Sequence, residues 1–90
     1  MKPLTWDPHK NEILIAERGI SFEVIASLLD SDDLLDIIDH PNSRKHPGQK
    51  VFVVRAMEYI YLIPFLEREK DIRLITIIPS RKAMKKYGKD

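Results

Sequence analysis

The chain has no cysteine, only three glycines and no long apolar run, and each shortage removes a class of protein. Without cysteine there is no disulfide framework and no thiolate zinc site, and a reducing cytoplasm is the expected setting. Gly19, Gly48 and Gly88 stand too far apart to build a glycine-rich phosphate loop. No stretch approaches the roughly 20 apolar residues that span a bilayer, and the opening MKPLTWDPHKNE lacks the apolar centre of a signal peptide, so a soluble protein with no membrane partner is expected. His9, His40 and His46 do not fall at i, i+4 spacing with a carboxylate partner, so neither a metal nor a cofactor is expected. A serine hydrolase lacks its nucleophile-elbow motif.

What is present fits one small domain over residues 1–90, with 43% hydrophobic and 32% charged content. A chain this short buries a modest share of its surface, and a permanent partner would add to its stability. The net charge of +1 conceals a segregation. Asp30, Asp32, Asp33, Asp36 and Asp39 form an acidic block, whereas Arg81, Lys82, Lys85, Lys86 and Lys89 follow one another without an acid. One surface of the molecule is therefore cationic, which suits a polyanion and also suits a merely solvated helix face.

Taken in order, Asp7 can cap a helix whose first position is Pro8. Lys10 to Arg18 reads as that helix, with Ile13 and Ala16 or Ile15 inward, Trp6 stapling it to the core and Gly19 at its C-cap. Ser21 caps a second helix carrying Val24, Ile25, Leu28 and Leu29 and ending near Asp30. Asp32 to Asp39 reads as a strand, followed by a loop from His40 to Gly48 that holds two histidines and two cations, Arg44 and Lys45. Lys50 to Ala56 and Tyr59 to Phe65 read as a hairpin about Met57 and Glu58. Neither arm has a clean polar face, so the sheet is expected to be covered by helices on one side and shielded in part on the other. A turn from Glu67 to Asp71 leads to a buried strand, Ile72 to Ile78, closed by Pro79 and Ser80. A basic helix then runs from Arg81 to Tyr87. The expected fold is α+β: two N-terminal helices, a four-stranded antiparallel sheet and a C-terminal helix in the order α-α-β-β-β-β-α.

The junction of last strand and last helix delivers Arg73, Arg81 and Lys82 from the ends of rigid elements. Cleaving RNA without a metal requires a base for the 2′-hydroxyl, cations for the charged phosphorane and an acid for the leaving oxygen. Arg73, Arg81 and Lys82 suit the middle task, while His40, His46 and Tyr87 are candidates for proton transfer. Each has a plain structural alternative: Arg73 as a strand-edge cap, Lys82 and Lys85 as solvated side chains, Tyr87 as a terminal packing aromatic.

Three segments then resemble one family. Trp6-Asp7-Pro8-x-Lys10, Arg18-Gly19-Ile20-Ser21-Phe22-Glu23, and Ile72-Arg73 followed by Ser80-Arg81-Lys82-Ala83 with Tyr87 are similar to the BrnT family of type II toxins. That family's pattern runs Trp-Asp-x-x-Lys, His-Gly-Val-x-Phe-x-Glu, and an Ile-Arg strand leading into an Ala-Arg-x-Ala helix. The resemblance implies a RelE-like ribonuclease fold, RNA cleavage that shuts down translation, and a cognate antitoxin through which alone the complex contacts DNA. By position it implies RNA contact or catalysis for Lys10, Arg73 and Arg81; Lys82, Lys85 and Tyr87 join them as RNA-binding candidates. Where the pattern has Asn in the first helix and Lys-His before the glycine, this chain has Leu14 and Glu17-Arg18. A guanidinium stays charged at neutral pH, so Arg18 cannot transfer protons, and that task moves to His40 or His46. A reading of another class is a non-catalytic module whose basic C-terminal helix binds an acidic partner protein.

Overall fold

In the computed structural model, which describes residues 1–88, the chain forms three helices and a six-stranded sheet. Lys89, the last cation of the basic segment, lies outside the described residues. Helix α1 (Pro8–Arg18) starts as its local chemistry requires: the Asp7 carboxylate accepts the His9 N–H at 3.0 Å, and Pro8 occupies a position that needs no donor. It stops at Gly19, whose φ of 67° is the left-handed conformation open to glycine. Helix α2 (Phe22–Leu28) is capped by Ser21, whose hydroxyl accepts the Val24 N–H.

The inward face of α1 differs from the expectation. Asn11 and Leu14 are buried, while Ile15 and Ala16 are exposed. The reason is a polar residue placed where an apolar stripe would run. Asn11 Oδ1 accepts the buried Phe22 N–H at 2.8 Å and Asn11 Nδ2 donates to Glu23 Oε1 at 2.7 Å, so one side chain joins the starts of both helices. Trp6 stacks on Phe22 with ring centroids 5.7 Å apart, as the expected staple.

The strands are β1 (Leu4–Thr5), β2 (Leu34–Asp39), β3 (Gln49–Ala56), β4 (Tyr59–Glu67), β5 (Ile72–Leu74) and β6 (Ile78–Pro79), in the spatial order β1-β5-β4-β3-β2 with β6 also on β4. Two of these correct the expected four. β1 adds a short parallel edge, pairing Leu4 with Ile72 and Thr5 with Arg73. The expected single strand from Ile72 to Ile78 is divided. Phe65 pairs with Leu74 and Leu62 with Ile78, so the two residues between them on β4 face three, Ile75 to Ile77, on the opposing segment. One extra residue is therefore bulged out. Its effect is a change of phase: Ile72, Leu74 and Ile77 all enter the same core. The Arg18 guanidinium donates to the Ile77 carbonyl beside this bulge. Pro79 lies within β6 rather than ending the strand, on a short edge segment where its missing N–H is tolerated.

Alternation along β3 and β4 creates two cores. Phe52, Val54, Tyr61, Ile63 and Phe65 meet Leu14, Phe22, Ile25 and Leu29 of the two N-terminal helices. On the opposite face Val53 and Ile60 meet Ala83 of helix α3 (Arg81–Tyr87), with Leu35, Ile38, Leu62, Met84 and Tyr87 packed around them. This double cover explains why neither hairpin arm shows a polar face.

Candidate functional site

Helix α3 begins where Ser80 Oγ accepts the Ala83 N–H at 3.0 Å, and the Ser80 N–H donates to the Ile60 carbonyl. Its seven residues extend for about 10 Å. The strands beneath it, of eight and nine residues, extend for nearly 30 Å. So short a helix leaves part of its face of the sheet uncovered. Beside it lies a groove of about 210 Å³, floored by Ile38, Val53 and Leu62, walled by Lys82, Ala83, Lys86 and Tyr87, and closed by Pro41 from the histidine loop. Lys82 and Lys86 are one turn apart on the same side of α3. Lys86 was legible only as a member of the basic run; its i, i+4 relation to Lys82 is the signal that pairs them.

Tyr87 is fixed in this wall. Its hydroxyl donates to Asp36 Oδ2 at 2.8 Å, and the Lys86 ammonium lies 5.3 Å from its ring centroid. The hydrogen bond to Asp36 and then burial push the phenol above its ordinary range, which favours its protonated form. The two loop histidines lie against each other with centroids 4.3 Å apart and their planes tilted by 32°. His40 Nδ1 accepts the Asn42 N–H at 3.0 Å, which places the ring hydrogen of neutral His40 on Nε2. Burial, followed by the neighbouring His46, lowers the His40 pKa and favours that neutral form.

The remaining sequence-derived residues are spread around this groove rather than gathered in it. Arg73 pairs across from Leu66, and Leu66 from Gln49, whose carbonyl accepts the His40 N–H. Alternation puts Arg73 and His40 on the α3 side of the sheet and in the same row. They are three strand spacings apart, about 14 Å. Arg81 and Lys85 are exposed, and the helical period turns them away from the groove wall formed by Lys82 and Lys86. Lys10 rises from α1, across the sheet from α3. A second hollow, on the other flank of α3, is lined by Arg55 and Glu58 with Tyr59, Ile60, Met84 and Gly88. Arg55 Nη2 donates to the Tyr87 carbonyl at 3.4 Å.

Among the described residues no group of histidines and carboxylates is arranged to hold a metal ion, and no helix is long and apolar enough to cross a membrane. What the arrangement offers is a shallow apolar groove with ammonium groups on its rim and imidazoles beyond its far lip. No curated protein and no solved structure matches the chain. A family model described as "Ribonuclease toxin, BrnT, of type II toxin-antitoxin system" matches residues 6–86, from the stacked Trp6 through the histidine loop to Lys86 of the groove wall. With that match across most of its length, the chain belongs to the BrnT family of ribonuclease toxins of type II toxin-antitoxin systems.

Proposed function

We propose that the chain arrests translation by cutting RNA at the groove beside α3, and that a cognate antitoxin holds it inactive and supplies any contact of the complex with DNA. The observation that carries this reading is the meeting of Lys82, Lys86 and Tyr87 with Pro41, next in sequence to His40 of the paired histidines. In the reaction the 2′-oxygen attacks phosphorus and the bond to the 5′-oxygen breaks, leaving a cyclic phosphate and a 5′-hydroxyl. His46 takes the 2′-hydroxyl proton, His40 offers its Nε2–H to a phosphate oxygen, and the leaving oxygen takes a proton from solvent. Lys82 and Lys86 neutralise the phosphorane. Arg73 and Arg81 hold phosphates to either side, while Lys85 and Lys10 contribute to the longer-range field that draws RNA in.

Incubating the purified protein with end-labelled single-stranded RNA tests this. His46→Ala is expected to slow cleavage by about 10²- to 10⁴-fold, the usual weight of a general base. Expression in cells is expected to stop protein synthesis, and co-expression of the antitoxin to restore it. RNA left intact by the wild-type protein would sink the proposal.

One observation favours a second reading. Arg73 and His40 are about 14 Å apart by strand spacing, and Arg81 lies off the groove. A non-catalytic module using α3 to bind an acidic partner would need no such convergence. It predicts tight partner binding, no RNA turnover and a silent His40→Ala.

A further inference from the structure

We infer that the groove between α3 and β2 receives one unstacked base, so that the enzyme selects RNA by the availability of a single-stranded nucleotide rather than by its sequence. This rests on the ribonuclease reading above and specifies its substrate. The floor, made by Ile38, Val53 and Leu62, offers no side-chain donor or acceptor, and Ala83 of the wall adds none. Of the hydroxyls in the lining, that of Tyr87 donates to Asp36 and Ser80 Oγ accepts the Ala83 N–H, which leaves the Ser80 O–H as the uncommitted hydroxyl donor. Such a surface can desolvate a planar ring but has little with which to read its hydrogen-bonding edge.

Size and charge complete the argument. At about 210 Å³ the groove is smaller than the roughly 300 Å³ at which pockets for drug-sized ligands begin, so a single ring system suits it and a base pair does not. Lys82 and Lys86, one turn apart with about 5–6 Å between their Cβ atoms, stand on its rim where the phosphates flanking an inserted base must pass. Tyr87 presents an aromatic surface in the same wall. The hollow on the other flank of α3 is of similar size, about 240 Å³, but Glu58 faces Arg55 across its lining and offsets that cation, whereas the groove's lining holds two lysines and no acid.

The test uses 2′-O-methyl oligonucleotides, which resist cleavage, each carrying one fluorescent 2-aminopurine. Binding to the intact protein is expected to brighten the probe as it leaves the stack. A duplex of the same sequence is expected to bind about tenfold more weakly, in line with the value of one base stacked on protein. Changing the inserted base is expected to alter affinity by less than about threefold, since stacking surfaces tolerate every base. Leu62→Trp fills the floor and is expected to abolish the brightening and to lose about tenfold in affinity. Ile38→Phe narrows the groove from its β2 side and is expected to act in the same direction, with circular dichroism showing that each variant is folded. If either folded variant binds and cleaves like the wild type, or the duplex binds equally well, the base-insertion inference is overturned and the ribonuclease reading stands. If wild-type protein neither binds nor cleaves any RNA, the ribonuclease reading fails and the inference with it.

Discussion

Single residues of this chain hold separate elements together, and Asn11 is the clearest case. It satisfies the buried Phe22 N–H and the Glu23 carboxylate at once, and its amide is the main cause of the lowered Glu23 pKa. Asn11→Ala is expected to destabilise the fold by about 1–3 kcal/mol, because the Phe22 donor is left buried and unpaired; a urea midpoint would measure the loss. Nothing in the hydrophobic pattern pointed to this, since a polar side chain at a core position looks like a break in the stripe. Asp71 fastens the opposite edge. The Arg68 guanidinium, and then the Thr5 hydroxyl at 2.7 Å, hold its carboxyl well below the usual carboxylate range. A depressed carboxylate stabilises the fold above its unfolded value near 3.8 and loses that contribution as pH falls through the folded value. The gap in urea midpoint between wild type and Asp71→Asn should thus be full at pH 7 and shrink below about pH 4. For His40 the folded value is lowered as well, so acidification below about 6.5 weakens the histidine loop. Proton NMR should show His40 titrating below a free histidine, and His46→Ala should raise that midpoint part of the way, because burial, the larger cause, persists.

Among the elements, those with a period or a cap were legible and those without were not. Asp7, Gly19 and Ser21 cap as expected, and Ser80, read as the end of the last strand, also caps α3. The hairpin arms fall within two residues of the expected limits. β1 and β6 have two residues each, too few for any alternation to register, and the bulge between β5 and β6 is a property of pairing rather than of composition. The hairpin turn is the least comfortable piece of backbone. Met57 and Glu58 adopt φ of 53° and 62°, a left-handed pair that glycine and asparagine accept and these side chains resist. Replacing them by Asn-Gly is expected to stabilise the protein by about 1 kcal/mol and to raise the melting temperature by roughly 4–8 °C. Calorimetry would show whether it does.

At the scale of the molecule, the segregated charges become a cationic helix lying on one face of a sheet, with two histidines at the far side of an apolar groove. The cations could be read from the chain. The groove could not, because its floor is assembled from β2, β3 and β4 and exists only after the strands pair. RNA binding measured against salt should report it: Lys82→Ala and Lys86→Ala should each reduce the slope by about 0.7, the value per phosphate on a single strand, whereas Lys10→Ala, across the sheet, should leave it nearly unchanged. The extra residue between β5 and β6 bears on how such a surface can diverge. Strand β5 is anchored by pairing on both sides, and α3 follows the bulge after only a few residues. A change of one residue in the length of this segment falls where the ladder is already interrupted, and its effect is passed on to the helix as a rotation. Turned by a single residue, about 100°, α3 would bring Arg81 and Lys85 to the groove in place of Lys82 and Lys86. Length at the bulge is therefore a gear between a fixed scaffold and an adjustable cationic wall, one that can change which charges line the groove without altering any of them.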